Sequence, residues 1–165
     1  MKEIKLTIDG KEVPLTEKQW SFLRTIEKEK HPFERAYYGG NYFCISSLGS
    51  IESYSDCQDS EAEAFFKEVN YFSTRPFARQ VALRQLLYRK LLKYSYDNEC
   101  TDKEWDGTNV HVYIIYNSTK KDYDTRWTRD EKEPGTVYFK STAWATAALN
   151  EVVMPFVREH PEFVW

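Results

Sequence analysis

The chain has 165 residues and a formal net charge of −3, which suits one compact domain and gives no general attraction to nucleic acid or anionic membranes. Aromatic residues make up 16% of the chain, and side chains of this size bury enough apolar area to exclude a disordered protein. No stretch has the length of a signal peptide's apolar core or of a membrane helix. Three cysteines without a Cys-x-x-Cys pair are typical of reduced thiols, so we expect a cytoplasmic protein without a membrane partner.

The first third is predicted to form a β-hairpin followed by a helix. Residues 4–8 alternate between apolar and polar side chains, and the Asp9-Gly10 pair that follows is the strongest short-range hairpin signal. Thr16 stands three residues before Gln19, which fits a capping box at the start of a helix.

The middle third is predicted to contain a second hairpin, a short strand and a long helix. Two β-type runs, Tyr42–Ser46 and Ser50–Tyr54, flank a Leu-Gly turn. The acidic residues 56–68 that follow are interpreted as a solvated loop. A strand then ends at Tyr71-Phe72, and Thr74 is a good N-cap for a helix that extends to about Tyr96.

The last third repeats this order of elements after a polar linker. Val110–Tyr116 and Tyr123–Thr128 are predicted strands of a third hairpin, and Val137–Phe139 is a short strand. Ser141 is a good N-cap for the final helix, which Pro155 is expected to kink or shorten.

The two latter thirds match at a constant offset of 67 residues. The matching pairs are Tyr71 with Tyr138, Phe72 with Phe139, Thr74 with Ser141 and Ala78 with Ala145. The alternative is that strand–cap–helix junctions simply look alike. The pattern predicts an α+β fold in which an N-terminal hairpin and helix (1–33) precede two diverged ββ-β-α units (34–98 and 99–165) with antiparallel sheets, all within one compact domain or as separate lobes.

Three segments carry a family resemblance: IKLTIDGKEVPLTEKQ at the start, the hairpin YFCISSLGSI, and the junction NYFSTRPFARQVALRQLLYRKLL. Together they resemble small accessory proteins that are abundant in phages and prophages of bacteria, and the resemblance spans roughly residues 4–94. It implies a phage-encoded protein acting in the cytoplasm of the bacterial host. Inhibitors of host defence, such as anti-CRISPR proteins, are a frequent role among such proteins. The resemblance carries no catalytic residue over to this chain.

The residues themselves point to no catalytic, metal or cofactor site. Gly39-Gly40 is the only tight glycine pair, and no phosphate-binding glycine motif follows it. No histidine stands in a zinc motif, and His111 is expected to face solvent from a strand. Cys44 as a nucleophile with His111 as its base is a disfavoured alternative. We therefore expect a protein that is not an enzyme and binds no metal or cofactor.

Two segments contain the candidate partner-binding residues. Five acids against one base in residues 56–68 suggest a surface that mimics nucleic-acid phosphates, and aromatic residues interleaved with arginine in the last hairpin are typical of protein hot spots and of base-stacking surfaces. The candidates in the acidic segment are Asp56, Asp59, Glu61 and Glu63, and those in and around the last hairpin are Trp105, Tyr113, Tyr123, Arg126, Trp127 and Arg129.

A third set of candidates lies on the long central helix. Cations without intervening acids suggest phosphate contacts, but leucines on several sides of the same helix favour burial against more than one neighbour, including a second copy in a dimer. These candidates are Arg79, Arg84, Arg89, Lys90 and Lys93.

The sequence supports three functional hypotheses. The leading one is a phage accessory protein, monomeric or homodimeric, that binds a host protein such as a CRISPR effector nuclease and inhibits it by steric occlusion. The second is a module that sequesters a nucleotide signal in a pocket formed by the Gly39-Gly40 loop, arginines and aromatic residues. The third is a nucleic-acid accessory protein that uses the basic helix.

Overall fold

The N-terminal hairpin is present in the computed structural model, which describes residues 7–8, 11–12, 15–19, 31–102 and 104–165. Strand β1 (Thr7–Ile8) pairs antiparallel with β2 (Lys11–Glu12). The Thr16 hydroxyl accepts a hydrogen bond from the Gln19 N–H at 3.4 Å, and Gln19 Oε1 accepts one from the Thr16 N–H at 2.9 Å. The predicted hairpin and capping box are therefore confirmed, while the rest of the predicted helix, to residue 30, lies outside the described residues.

The first sheet is built on a hairpin of β3 (Asn41–Ile45) and β4 (Ile51–Ser55). Phe72 lies on the other edge of β3, where its N–H donates to the Phe43 carbonyl at 2.8 Å and its carbonyl accepts from the Phe43 N–H at 2.9 Å. The long helix α2 (Arg75–Asp97) follows directly. The predicted hairpin and helix are thus confirmed, while the predicted short strand is reduced to a single bridge at Phe72.

The acidic segment between β4 and Phe72 is a helix, α1 (Ser60–Lys67), and the interpretation of this segment as a loop is wrong. The Asp59 carboxylate caps it by accepting a hydrogen bond from the Ala62 N–H at 2.9 Å. Glu61 and Glu63 occupy its first turn, where negative charge stabilises the positive end of the helix dipole. These acids therefore stabilise a helix N-terminus. Counting them as a net negative charge did not reveal that their positions fit the start of a helix.

The second sheet has three strands, one more than the first, in which a single bridge at Phe72 takes the place of the third strand. Strand β5 (His111–Asn117) pairs with β6 (Asp122–Thr128) on one edge and with β7 (Tyr138–Phe139) on the other, all antiparallel. The Cys100 carbonyl accepts a hydrogen bond from the Lys140 N–H at 3.2 Å, so the first part of the predicted linker (97–109) packs beside β7.

The final helix is divided into three segments, an α-helical, a π-helical and a second α-helical one. Helix α3 (Thr142–Ala148) is followed by a π-helical turn (Leu149–Val153) and by α4 (Met154–Glu159). Pro155 in the first turn of α4 has no N–H to donate and crowds the carbonyl one turn earlier, which explains why regular α-helix stops before it. The predicted interruption at Pro155 is confirmed.

Each unit places a short segment, the Phe72 bridge in the first and β7 in the second, beside the first strand of its hairpin and then starts a helix. The caps differ, because the Ser141 hydroxyl accepts from the Trp144 N–H at 3.4 Å whereas the Thr74 side chain makes no capping bond. Ala78 and Ala145 are both fully buried where the helices approach their sheets. The α+β fold with two small antiparallel sheets is therefore confirmed.

The main core lies between α2, the second sheet and the last helices. Leu83, Leu87 and Leu91 recur every fourth residue along α2 and are buried in this core with Phe139 and Phe156. A smaller cluster in the first unit contains Tyr42, Cys44, Ala62 and Tyr71. Helix α2 thus belongs to the first unit by chain order and buries its leucines against the second. Among the described residues, no helix combines the length and the apolar character needed to cross a membrane.

Candidate functional site

Asp56 is a structural residue and is not available to a partner. Its side chain is 0% exposed and accepts hydrogen bonds from Arg35 Nε at 3.0 Å, the Tyr71 hydroxyl at 2.8 Å and the Gln58 N–H at 2.8 Å. The assignment of Asp56 to a partner-binding acidic surface is therefore wrong, because a buried carboxylate cannot contact another protein.

Arg35 also neutralises a second acid of the proposed phosphate mimic. Its Nη1 donates to Glu63 Oε2 at 2.6 Å, and Lys67 lies 3.4 Å from the other oxygen of the same carboxylate. These hydrogen bonds from Arg35 and Lys67 lower the pKa of Glu63. Asp59 and Glu61 remain exposed, which leaves half of the predicted acidic set on the surface and Asp59 engaged in capping.

The Gly39-Gly40 loop extends the hairpin of β3 and β4. The Gly39 N–H donates to the Asp56 carbonyl and the Asp56 N–H to the Gly40 carbonyl, each at 2.8 Å. A Cβ at Gly40 would lie 2.9 Å from the Tyr37 carbonyl oxygen, so only glycine fits. The loop lines none of the three clefts described below, which contradicts its assignment to a nucleotide pocket.

His111 is fully buried, and the expectation that it faces solvent is wrong. The Trp105 ring stacks on the imidazole with centroids 3.7 Å apart, and Tyr138 meets both rings edge-on. Trp105 Nε1 donates to Asp102 Oδ2 at 2.7 Å, and the same oxygen lies 3.4 Å from His111 Nδ1. Neither ring nitrogen of His111 has a hydrogen-bond partner in the part of the chain that the structure describes. The alternation along the strand missed this cluster because Trp105, in the loop before β5, and Tyr138, on β7, cover His111.

Two of the three thiols are core residues. Cys44 and Cys100 are 1% and 0% exposed, and burial raises the pKa of each thiol. Cys44 packs with Tyr42 and Tyr71 whereas His111 packs with Trp105, so the structure does not bring together the alternative nucleophile and its base.

Thiol titration of the native protein is expected to show a single fast-reacting cysteine, Cys57, because it is the exposed one. Reaction with a chromogenic disulfide should release one equivalent quickly and the other two only on unfolding. Cys57→Ser should abolish the fast phase. Fast reaction of a second thiol would contradict the burial of Cys44 and Cys100.

The candidates of the last hairpin divide between the core and the surface. Tyr113 and Tyr123 are half-buried, Tyr113 against Tyr138 and Tyr123 against Tyr116 and Trp165. Trp105 belongs to the His111 cluster described above. Arg126, Trp127 and Arg129 are exposed, with the Arg129 guanidinium 5.9 Å from the Trp127 ring centroid.

The cations of α2 do not form one basic face. Arg79 pairs with Glu162 at 3.2 Å, Arg84 donates to the Val164 carbonyl at 3.3 Å, and Lys93 pairs with Asp97. Lys90 lines a cleft that also contains Glu151 and Glu159. The basic helix therefore offers phosphate no continuous row of free cations, which its sequence suggested.

The C-terminal half of α2 carries an exposed apolar stripe. Tyr88, Leu92 and Tyr96 follow one another at four-residue spacing and are 38%, 36% and 68% exposed. Arg89 and Lys93 follow Tyr88 and Leu92 by one residue each and are also exposed, so the stripe has a cationic margin.

A cleft of about 290 Å³ lies between α2 and the second sheet. Its aromatic lining includes Tyr88, Tyr113 and Trp165, and Arg84 and Glu133 supply one charge of each sign. A second cleft, of about 540 Å³, lies between α2 and the turn that joins β3 to β4, and Arg89 lines it.

The described residues contain no group of three histidine, cysteine or acidic side chains placed to hold a metal ion. Comparisons with protein-family models, with curated proteins and with solved structures found no match to this chain.

Proposed function

We propose that this protein acts without catalysis, by binding a host protein and blocking it sterically. The observation that carries the proposal is the exposed stripe of Tyr88, Leu92 and Tyr96 on α2. Exposing two tyrosines and a leucine on one side of a helix to water is energetically unfavourable, and such patches often mark interaction sites. Helices that bind in a groove of another protein use aligned apolar residues of this kind.

The margin of the stripe indicates the chemistry of the partner. Arg89 adds positive charge along one side of the stripe, and Lys93 extends this margin as a cation paired with Asp97. A complementary surface is a groove that is apolar at its centre and acidic at its rim. The resemblance to phage accessory proteins suggests a component of host defence, such as a CRISPR effector nuclease, as the owner of that groove.

A second candidate function rests on the 290 Å³ cleft beside α2. Its aromatic walls and Arg84 suit a small aromatic ligand with an acidic group, the chemistry of a nucleotide. The Arg84 Nε already donates to the Val164 carbonyl, however, and Glu133 opposes an anion on the far wall. These two features favour the protein-binding function.

Truncating the stripe is expected to remove the partner without unfolding the protein. Leu92→Ala with Tyr96→Ala keeps good helix formers on α2 and should weaken binding about thirtyfold, because loss of one hot-spot residue costs about 2 kcal/mol. The measurement is affinity capture from lysate of host cells with active defence systems, read by mass spectrometry, followed by titration of the captured protein.

Tyr37→Ala with Tyr38→Ala is the matched control, since these tyrosines are 78% and 69% exposed and lie outside α2. A host protein that is captured in stoichiometric amount by the wild type and the control, but lost by the α2 variant, is the expected result. Equal capture by all three would exclude the stripe as the contact surface. If no protein is captured, the protein-binding function is wrong, and a large thermal stabilisation by a nucleotide or salt-sensitive binding of single-stranded DNA would then identify the alternative.

A further inference from the structure

Strand β6 has one edge that no strand covers within the described residues. It pairs with β5 along its whole length and ends the sheet order β6-β5-β7. The N–H groups of Tyr123 and Thr125 donate to the side chains of Asp122 and Asp124, each at 2.8 Å, so they point away from β5. By the alternation of an antiparallel strand, the main-chain groups of Trp127 point outward as well. An outward row of donors and acceptors of this length is a template for another strand.

We propose that β6 of a second copy of this chain pairs with this edge, antiparallel, about a two-fold axis at Thr125. In that register Asp124 lies opposite Arg126 of the second copy, and Arg126 lies opposite its Asp124. Tyr123 and Trp127 face each other in the same way. The six strands of the two sheets then form one continuous sheet, with the same surface contributed by both copies.

Charge selects this register over its neighbours. Moving the axis by one residue places Asp124 opposite its own copy, or Arg126 opposite its own copy, and like charges directly opposite each other destabilise a strand pair. An axis at Asp124 also places Asp122 opposite Arg126 of the second copy, but it adds the repulsion between the two Asp124 side chains. Within β6, the axis at Thr125 gives attractive pairs on both sides without a like-charged pair. It also places the outward main-chain groups of Tyr123, Thr125 and Trp127 opposite one another, as an antiparallel hydrogen-bonded pairing requires.

Pairing also covers the most exposed aromatic ring of the sheet. Trp127 is 63% exposed, and Tyr123 of the second copy would lie beside it on the same face of the sheet. The carboxylates of Asp122 and Asp124 must release the N–H groups that they accept from in the single chain. The released N–H groups donate instead to carbonyls of the second copy, and Asp124 exchanges its backbone partner and its neighbour Lys120, 4.0 Å away, for Arg126.

Sedimentation velocity over a wide range of protein concentration tests the proposal. The wild type should associate to a dimer, and Asp124→Arg or Arg126→Asp alone should weaken the dimer about tenfold or more, because each creates two repulsive pairs. The double variant with both changes restores two attractive pairs and should recover the wild-type dissociation constant. Arg158→Asp, a reversal of an exposed charge on α4, is the matched control and should leave the dimer unchanged. Unchanged melting temperatures show that the variants fold.

A cysteine at the axis supplies an independent readout. In a Cys57→Ser background, Thr125→Cys should form a disulfide-linked dimer on mild oxidation, since directly opposed residues of antiparallel strands lie within disulfide reach. Thr128→Cys, on the same strand but opposite Asp122 of the second copy, should remain unlinked. A wild type that stays monomeric at every concentration would overturn the proposal, as would single reversals without effect, a double variant that fails to recover, or equal cross-linking at both positions.

Discussion

Replacing Phe139 by alanine is expected to lower the free energy of unfolding by about 4 kcal/mol. Phe139 is 0% exposed, and its strand joins the hairpin of β5 and β6 to the first part of the linker through pairs with Val112 and Thr101. The cavity left by its ring opens in the main core, against residues from the strands and the final helices. A chain of this size should melt roughly 10 °C lower, which thermal unfolding followed by circular dichroism measures.

Leu48→Ala is the control for this substitution, because Leu48 is 95% exposed at the turn between β3 and β4. We expect Leu48→Ala to change the free energy of unfolding by less than about 0.5 kcal/mol. Helix α2 lies between the two units, so circular dichroism and tryptophan fluorescence should give the same midpoint in the Phe139→Ala variant. Two separate transitions would mean that the first unit survives loss of the second, and that the units are independent domains.

The elements that sequence analysis predicted correctly depend on local signals. The hairpin signal at Asp9-Gly10, the Thr16–Gln19 capping box and Pro155 each act within a few residues, and the structure shows the paired strands β1 and β2, the capping box and the interrupted helix. The repeat was detectable for the same reason, since Tyr-Phe followed by a cap is one local unit used twice.

The errors have a common physical cause, which is long-range covering. His111 alternates on β5 as a solvent-facing residue would, but Tyr138 on β7, together with Trp105 in the loop before β5, covers it. Asp56 belongs to an acidic run, but Arg35 and Tyr71 come from either side of the first unit to neutralise and cover it. Period and composition carry no information on which distant segment covers a given residue.

The candidate surface was only partly predictable for a related reason. The sequence indicated that α2 is basic and rich in leucine, but the division of its cations depends on Glu162 and Val164, more than seventy residues away. The leucines on several sides of this helix suggested burial, because four-residue spacing of large apolar residues normally indicates a core face, but Tyr88, Leu92 and Tyr96 are exposed. The buried face of α2 consists of Leu83, Leu87 and Leu91, and the stripe on its other side is exposed in the structure.

Asp56→Ala is expected to cost about 3 kcal/mol, at the lower end of the range for a broken buried ion pair because Arg35 keeps partial access to water. The substitution leaves the Arg35 guanidinium and the Tyr71 hydroxyl without their shared acceptor, and the Tyr71 oxygen also accepts the Ala36 N–H at 2.8 Å. Urea unfolding monitored by circular dichroism measures the loss. Glu61→Ala, which removes an exposed acid from the first turn of the neighbouring helix α1, should cost only a few tenths of a kcal/mol.

The same network gives the stability a defined pH dependence. Burial alone would raise the pKa of Asp56, but the hydrogen bonds from Arg35, the Gln58 N–H and Tyr71 outweigh it and leave the pKa below its usual 3.8. A carboxyl whose pKa is lower in the folded than in the unfolded state contributes its full stabilisation above the unfolded value and loses it as the pH falls through the folded value. The urea midpoint of the wild type should therefore fall as the pH drops below about 4, whereas Asp56→Asn should start lower and fall less steeply. Parallel pH profiles for the two proteins would show that the charge of Asp56 does not contribute to stability, and that only its hydrogen bonds and packing do.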